Sequence, residues 1–157
     1  MTQDGTGIDL DTSLGYLLKE ASSALRTAME EALRPLGMSV THYSCLELLA
    51  QRPGLSNSEL ARGAFVTRQT MNVLLQALER EGHVTRPPVA PTGKALPAHL
   101  TPRGRESLER ATAAVRSIEI GMLAGMSGTD QAEAFRILRS MIDSLRHVDG
   151  ETPARKT

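Results

Sequence analysis

Apolar residues recur every three or four positions in long stretches along this chain, separated by short breaks at Pro, Gly and Ser, which is the pattern of a mostly helical protein. Asp11 or Thr12 can cap a first helix whose stripe is Leu14, Leu17, Leu18, Ala21, Leu25, Ala28, Met29, Ala32 and Leu33, and Pro35 and Gly37 stop it. A second helix is expected over Thr41 to Ala50, with Cys45, Leu48 and Leu49 on one face, before the break at Pro53-Gly54. Ser56-Asn57-Ser58-Glu59 has the form of a capping box opening a short third helix that ends near Gly63. Ala64-Phe65-Val66 then reads as a tight turn, with Thr67 as the cap of a fourth helix reaching Glu81.

That fourth helix has two contrasting faces. Met71, Leu74, Leu75 and Leu78 fall on one side, and Arg68, Gln69, Asn72, Val73 and Gln76 on the other. A merely solvated helix face is usually rich in Lys and Glu, whereas here no acid occurs from Thr67 through Leu78. Arginine and side-chain amides pair with guanine and adenine edges in a DNA major groove, and Val73 can meet a thymine methyl. Two helices joined by so tight a turn, the second with a polar outer face, have the sequence form of a helix-turn-helix. Arg68 is the candidate for guanine, with Gln69, Asn72 and Gln76 for adenine or water-mediated contacts. Thr67, Thr70 and the amides near Asn57 and Ser58 are placed to hold phosphate.

Gly82 ends the fourth helix, and two extended segments, His83 to Arg86 and Ala95 to Leu100, flank V-A-P-T-G-K as a β-hairpin or wing. Pro87, Pro88, Pro91 and Pro97 each remove a ladder donor, so the hairpin should be short and irregular. Arg86 and Lys94 on it are candidates for contacts to the DNA backbone or the adjacent minor groove. Thr101-Pro102 opens a fifth helix to about Met126. Ser127 to Asp130 break the chain before a sixth helix that uses Phe135, Leu138, Met141, Ile142 and Leu145.

With 157 residues the chain suits one core of ordinary size, and no apolar run approaches the roughly 20 residues needed to span a bilayer. The start, M-T-Q-D-G-T-G, has neither the basic nor the apolar stretch of a signal peptide, so a cytoplasmic protein with no membrane partner is expected. The net charge is zero, but its distribution is uneven: Arg62 to Arg105 holds seven Lys or Arg against two acids, a surplus of +5 that the ends balance. A basic middle between acidic ends suits a polyanion-binding unit mounted on something else.

The order of these elements, with L-G-M-S-V-T, S-N-S-E-L-A, V-T-R-Q-T-M-N-V-L-L-Q-A-L-E-R-E-G-H-V-T-R and then H-L-T-P-R-G-R, resembles the MarR family of winged helix-turn-helix regulators over about Leu14 to Leu145. The resemblance implies a homodimer that binds a palindromic operator on double-stranded DNA and is released, or in some members recruited, by a small-molecule effector or an oxidant, here read as a repressor rather than an activator, with Thr67 to Gln76 as recognition helix and Arg86 to Leu100 as wing. Many members carry an Asp-x-Arg pattern near the wing tip where this chain has Thr92, Gly93 and Lys94. Lys94 keeps the charge but lacks the planar fork, and Thr92 cannot be the acidic partner that orients it.

The expected architecture is mainly α with a small β-hairpin wing. Residues 1–10 form a flexible tail, and 11–147 a single domain with the winged helix-turn-helix at about 38–101 and dimerisation helices at about 11–34 and 102–147. A second flexible tail covers 148–157. The end helices carry longer apolar stripes than the small middle domain can cover, so Leu14, Leu17, Leu18, Ile142 and Leu145 are assigned to a dimer interface. Tyr16, His42 and Tyr43 are candidates to line an effector pocket. Cys45, one turn after His42, admits a thiol-sensor reading, set against a small buried hydrophobe.

His42, His83, His99 and His147 show no paired ligand spacing and no nearby acidic or thiol cluster, so no structural zinc and no cofactor is expected, the remaining alternative being a regulatory metal site assembled from distant residues. P-T-G-K-A lacks the earlier Gly and the final Ser or Thr of a phosphate-binding loop, having Pro88 and Ala95 there. No spacing suggests a nucleophile with a base, and no enzyme is expected. The reading from another class is a winged-helix protein-interaction module that does not bind DNA.

Overall fold

The computed structural model describes residues 7–88 and 96–148. The chain divides into two compact units, Met1–Ile118 and Glu119–Thr157. Helix α1 spans Leu14–Leu33, and a 3-10 turn at Arg34–Leu36 leads to α2 at Val40–Gln51. Then come α3 at Asn57–Gly63, α4 at Arg68–Arg80, strands β1 at Val84–Thr85 and β2 at His99–Leu100, α5 at Pro102–Leu123 and α6 at Gly128–Val148. The mainly helical fold with a small antiparallel wing is the one its sequence predicts.

Caps decide where the helices begin. The first helix is capped by Ser13, whose hydroxyl accepts from the Tyr16 amide, and not by Asp11 or Thr12. Ser39 caps α2 through the His42 amide, one residue earlier than the predicted start at Thr41 allows. Ser56 and Thr67 take the predicted cap positions of α3 and α4, accepting from the amides of Glu59 and Thr70. Ser127 caps α6 through Asp130.

The core of the first unit is built where the stripes of α2, α3, α4 and α5 meet. Leu46, Leu49, Leu60, Met71, Leu75 and Leu78 are among its fully buried side chains, joined by Leu33, Val84, Ala98 and Ala111. Burying each such side chain contributes on the order of 1.5–3 kcal/mol, which makes this set the main support of the unit. By contrast, α1 buries only Leu33 from its long stripe.

Two glycines let the wing join α4 so tightly. Gly82 ends α4 at φ +78, and the His83 amide then donates back to the Leu78 carbonyl at 2.9 Å. Gly104 lies on α5 so close to this junction that a Cβ there would stand 2.2 Å from the His83 carbonyl oxygen. Thr101 fixes the same corner: its hydroxyl donates to the Gly82 carbonyl and accepts from the Gly104 amide. These contacts give L-T-P-R-G a physical reason.

Among the described residues the wing ladder has two pairs, Val84 with Leu100 and Thr85 with His99. Ala98 instead gives its amide to Leu55 and accepts from Gly54, so the segment before β2 belongs to the loop between α2 and α3. Pro97 therefore escapes the ladder conflict. Residues 89–95, which include the predicted tip at Thr92, Gly93 and Lys94, lie outside the described residues.

Candidate nucleic-acid interface

Helix α4 holds its polar face outward by burying the opposite one. Met71, Leu75 and Leu78 are sealed in the core, while Arg68, Gln69, Thr70, Asn72, Val73 and Gln76 are all exposed. Val73 is 60% exposed, an apolar side chain offered to solvent in the middle of a polar row. The start of the helix is braced from α3, where the Asn57 side-chain amide donates to the Arg68 carbonyl at 3.1 Å. Asn57 thus ties the start of α3 to the start of α4. Ser58 is half-buried at the start of α3, and the hydroxyls of Thr67 and Thr70 bond to each other at 3.0 Å.

The turn between α3 and α4 is strained. Phe65 adopts φ +59, a left-handed conformation that costs a residue with a Cβ about 1–2 kcal/mol, and it leaves its ring 90% exposed. The sequence pattern marked the turn but gave no sign of an exposed aromatic held in such a backbone.

Arg86 departs from its predicted role. Its side chain is only 12% exposed and pairs with Glu79 on α4, so it ties β1 to α4 and is less open to a DNA contact than its sequence position suggests. Strand β1 follows α4 within one turn, which lets the long guanidinium fold back onto the Glu79 carboxylate.

A family model described as MarR family matches residues 36–95. The HTH-type transcriptional repressor Rv2887 of Mycobacterium tuberculosis is 44% identical over 135 residues, which cover 86% of this chain and 97% of the relative. The chain belongs to the MarR family. The solved structure of the M. tuberculosis protein Rv2887 in complex with DNA resembles it with a TM-score of 0.69 and 44% identity, covering 83% of this chain and 98% of that one. Another structure of Rv2887, in complex with salicylic acid, matches with the same TM-score and identity over 83% and 97% of the two chains.

Other predicted sites of this MarR-family chain fare differently. Cys45 is fully buried in the core, and burial pushes its thiol up to about 12. The thiolate is the form that peroxide attacks, so the burial of Cys45 and its raised thiol favour the small-hydrophobe reading over the sensor reading. His42 lies near in sequence but contributes nothing to that shift, for which burial is the whole cause.

The three effector-pocket candidates do not share one environment. Tyr16 is 46% exposed on α1, and Tyr43 packs against the core. His42 stands beside His83, with ring centroids 5.9 Å apart. Burial holds the His42 imidazole below its ordinary range, with Glu81 pulling it up and His83 pushing it down. Two surface recesses, of about 640 and 350 Å³, are lined by Arg136, Arg139, Ser140, Asp143, Ser144 and His147 and by Glu30, Arg34, Gly37, Met38 and Ser39, and contain none of the three.

The proposed interface leucines remain outward-facing in the single chain. Leu14, Leu17 and Leu18 on α1 and Ile142 and Leu145 on α6 are all exposed, together with Phe135 and Leu138. Among the described residues no helix is long and apolar enough to cross a membrane.

Proposed function

We propose that this chain is a sequence-specific DNA-binding transcriptional repressor, not an enzyme, that works as a homodimer on a palindromic operator and leaves it when a small molecule binds. The observation that carries the reading is the exposed face of α4: Arg68, Gln69, Asn72, Val73 and Gln76 stand in one acid-free row over a buried Met71, Leu75 and Leu78. Such a row supplies a fork for guanine, amides for adenine and an apolar contact for thymine. The DNA complex of Rv2887 supports a duplex as partner, and its salicylic acid complex supports a small-molecule effector. Exposed leucines on α1 and α6 support pairing with a second copy, which would set two α4 helices about 34 Å apart on successive major grooves. Residues 11–147 act as the working domain, in the cytoplasm, where the operator is.

Repression follows from occupancy: a dimer seated on the operator excludes polymerase, and an effector that favours a different separation of the reading helices shifts the population off DNA. Selection of bound duplexes from a random pool, followed by a salt titration of the winner, tests the proposal. A palindromic consensus and an affinity that falls steeply with salt are expected, as phosphate-bound counterions are released. Failure to retain any duplex would leave a winged-helix protein-interaction module instead.

A further inference from the structure

Helix α2 and the turn between α4 and β1 bring His42 together with a Glu-Gly-His segment that lies about 40 residues further along the sequence. His42, Glu81 and His83 each place one potential ligand atom within 4.8 Å of the other two. Two of the nitrogens are otherwise unused: His42 Nε2 and His83 Nδ1 are buried without a hydrogen-bond partner among the described residues. A buried imidazole nitrogen left in that state is costly, and polar atoms so placed call for an explanation. Glu81 Oε2 stands 3.5 Å from His83 Nδ1, beyond a good hydrogen bond but close to the roughly 3.3 Å that separates two ligands on a tetrahedral ion.

We propose that His42, Glu81 and His83 bind a divalent d-block cation of the zinc class. Two imidazole nitrogens and one carboxylate oxygen suit zinc, nickel or copper and not magnesium or calcium, which take oxygen ligands. The other nitrogen of His83 is held for the task, since Nε2 lies 3.4 Å from the Ser107 hydroxyl on α5. With Nδ1 on the ion, Nε2 carries the proton and donates it to that hydroxyl, fixing ring and tautomer. Glu81 keeps a 55% exposed side chain, so the ion can enter from solvent, the carboxylate can rotate to close the remaining distance, and water completes the fourth position. An ion there ties the end of α4 and the start of the wing to α2.

Cobalt(II), added to the full-length protein as a spectroscopic stand-in for zinc, tests the site. One equivalent per chain should produce the visible absorption of a four-coordinate nitrogen and oxygen site, without a thiolate charge-transfer band, and zinc(II) should abolish it. Zinc(II) alone should also raise the thermal midpoint. Glu81→Gln, a change at an exposed side chain, should weaken cobalt binding about tenfold or more while circular dichroism stays unchanged, and Ser107→Ala should weaken it about tenfold through loss of orientation. His42→Asn should remove the band, whereas His99→Asn and His147→Asn should leave it intact. Cobalt binding that is as tight in Glu81→Gln as in the parent, or a parent spectrum with no four-coordinate band, would overturn the assignment.

Discussion

Arg68 sits at the first position of α4 with its guanidinium exposed, where a bidentate contact to guanine is within the reach of a helix lying in the major groove. Arg68→Ala should therefore cost about 1–3 kcal/mol of operator binding and relax one base position, which a gel shift across single-base operator variants would read. An unchanged preference at every position would remove Arg68 from the reading face. Cys45 predicts an opposite kind of result. Its folded thiol ionises only near 12 against an ordinary value of 9.0, so the unfolded chain loses this proton first as pH rises. The stabilising share of Cys45 is thus complete below about pH 9 and lost progressively toward 12. Native protein should resist alkylation at pH 8 until denatured, and its stability advantage over Cys45→Ala should shrink between pH 8 and pH 10.5 in urea titrations. Rapid alkylation of the native thiol would reinstate a reactive cysteine.

At the scale of elements, α4 and β1 are joined by several independent contacts. Gly82 turns the chain, the Arg86 and Glu79 pair crosses it, and Thr101 and Gly104 press α5 against it. Gly104→Ala should drive a methyl into the His83 carbonyl and cost about 1–3 kcal/mol of stability in denaturant melts, because a backbone atom cannot rotate away as a side chain can. Retention of full stability would mean that α5 slides freely at this point. The turn before α4 should respond in the other direction: Phe65→Gly removes the left-handed strain and should stabilise the fold by about 1 kcal/mol, unless the exposed ring holds a packing contact. A stability loss in the same melts would reveal such a contact. The six helices were legible from apolar stripes, breaks and caps, although the caps of α1 and α2 fall at Ser13 and Ser39 and not where the sequence pattern placed them. The strand ends were not, since Ala98 chooses between the β1 ladder and the Gly54-Leu55 loop according to which backbone groups stand nearest in three dimensions.

For the whole molecule, the proposed dimer is assigned to the exposed leucines. Leu17 is 49% exposed and Leu145 66%, so substitution at either perturbs the core of the single chain little. Leu17→Glu and Leu145→Glu should each shift sedimentation from dimer to monomer while leaving helicity intact. The monomer should bind the full operator at least about a hundredfold more weakly, because the second half-site is no longer engaged by a linked partner. A variant that stays dimeric with operator affinity intact would move the interface elsewhere.

Periodicity and capping, which are local properties of the chain, determined the succession of six helices, the turn before α4, the outward polar row from Arg68 to Gln76 and the resemblance to MarR regulators. Only tertiary structure decided what the nominated polar residues touch. Asn57 donates to the Arg68 carbonyl, Arg86 pairs with Glu79, and Cys45 is sealed among leucines. The same folding placed His42 beside Glu81 and His83, a juxtaposition that no spacing along the chain encodes, because contact across the core depends on how helices pack and not on how far apart their residues are in sequence.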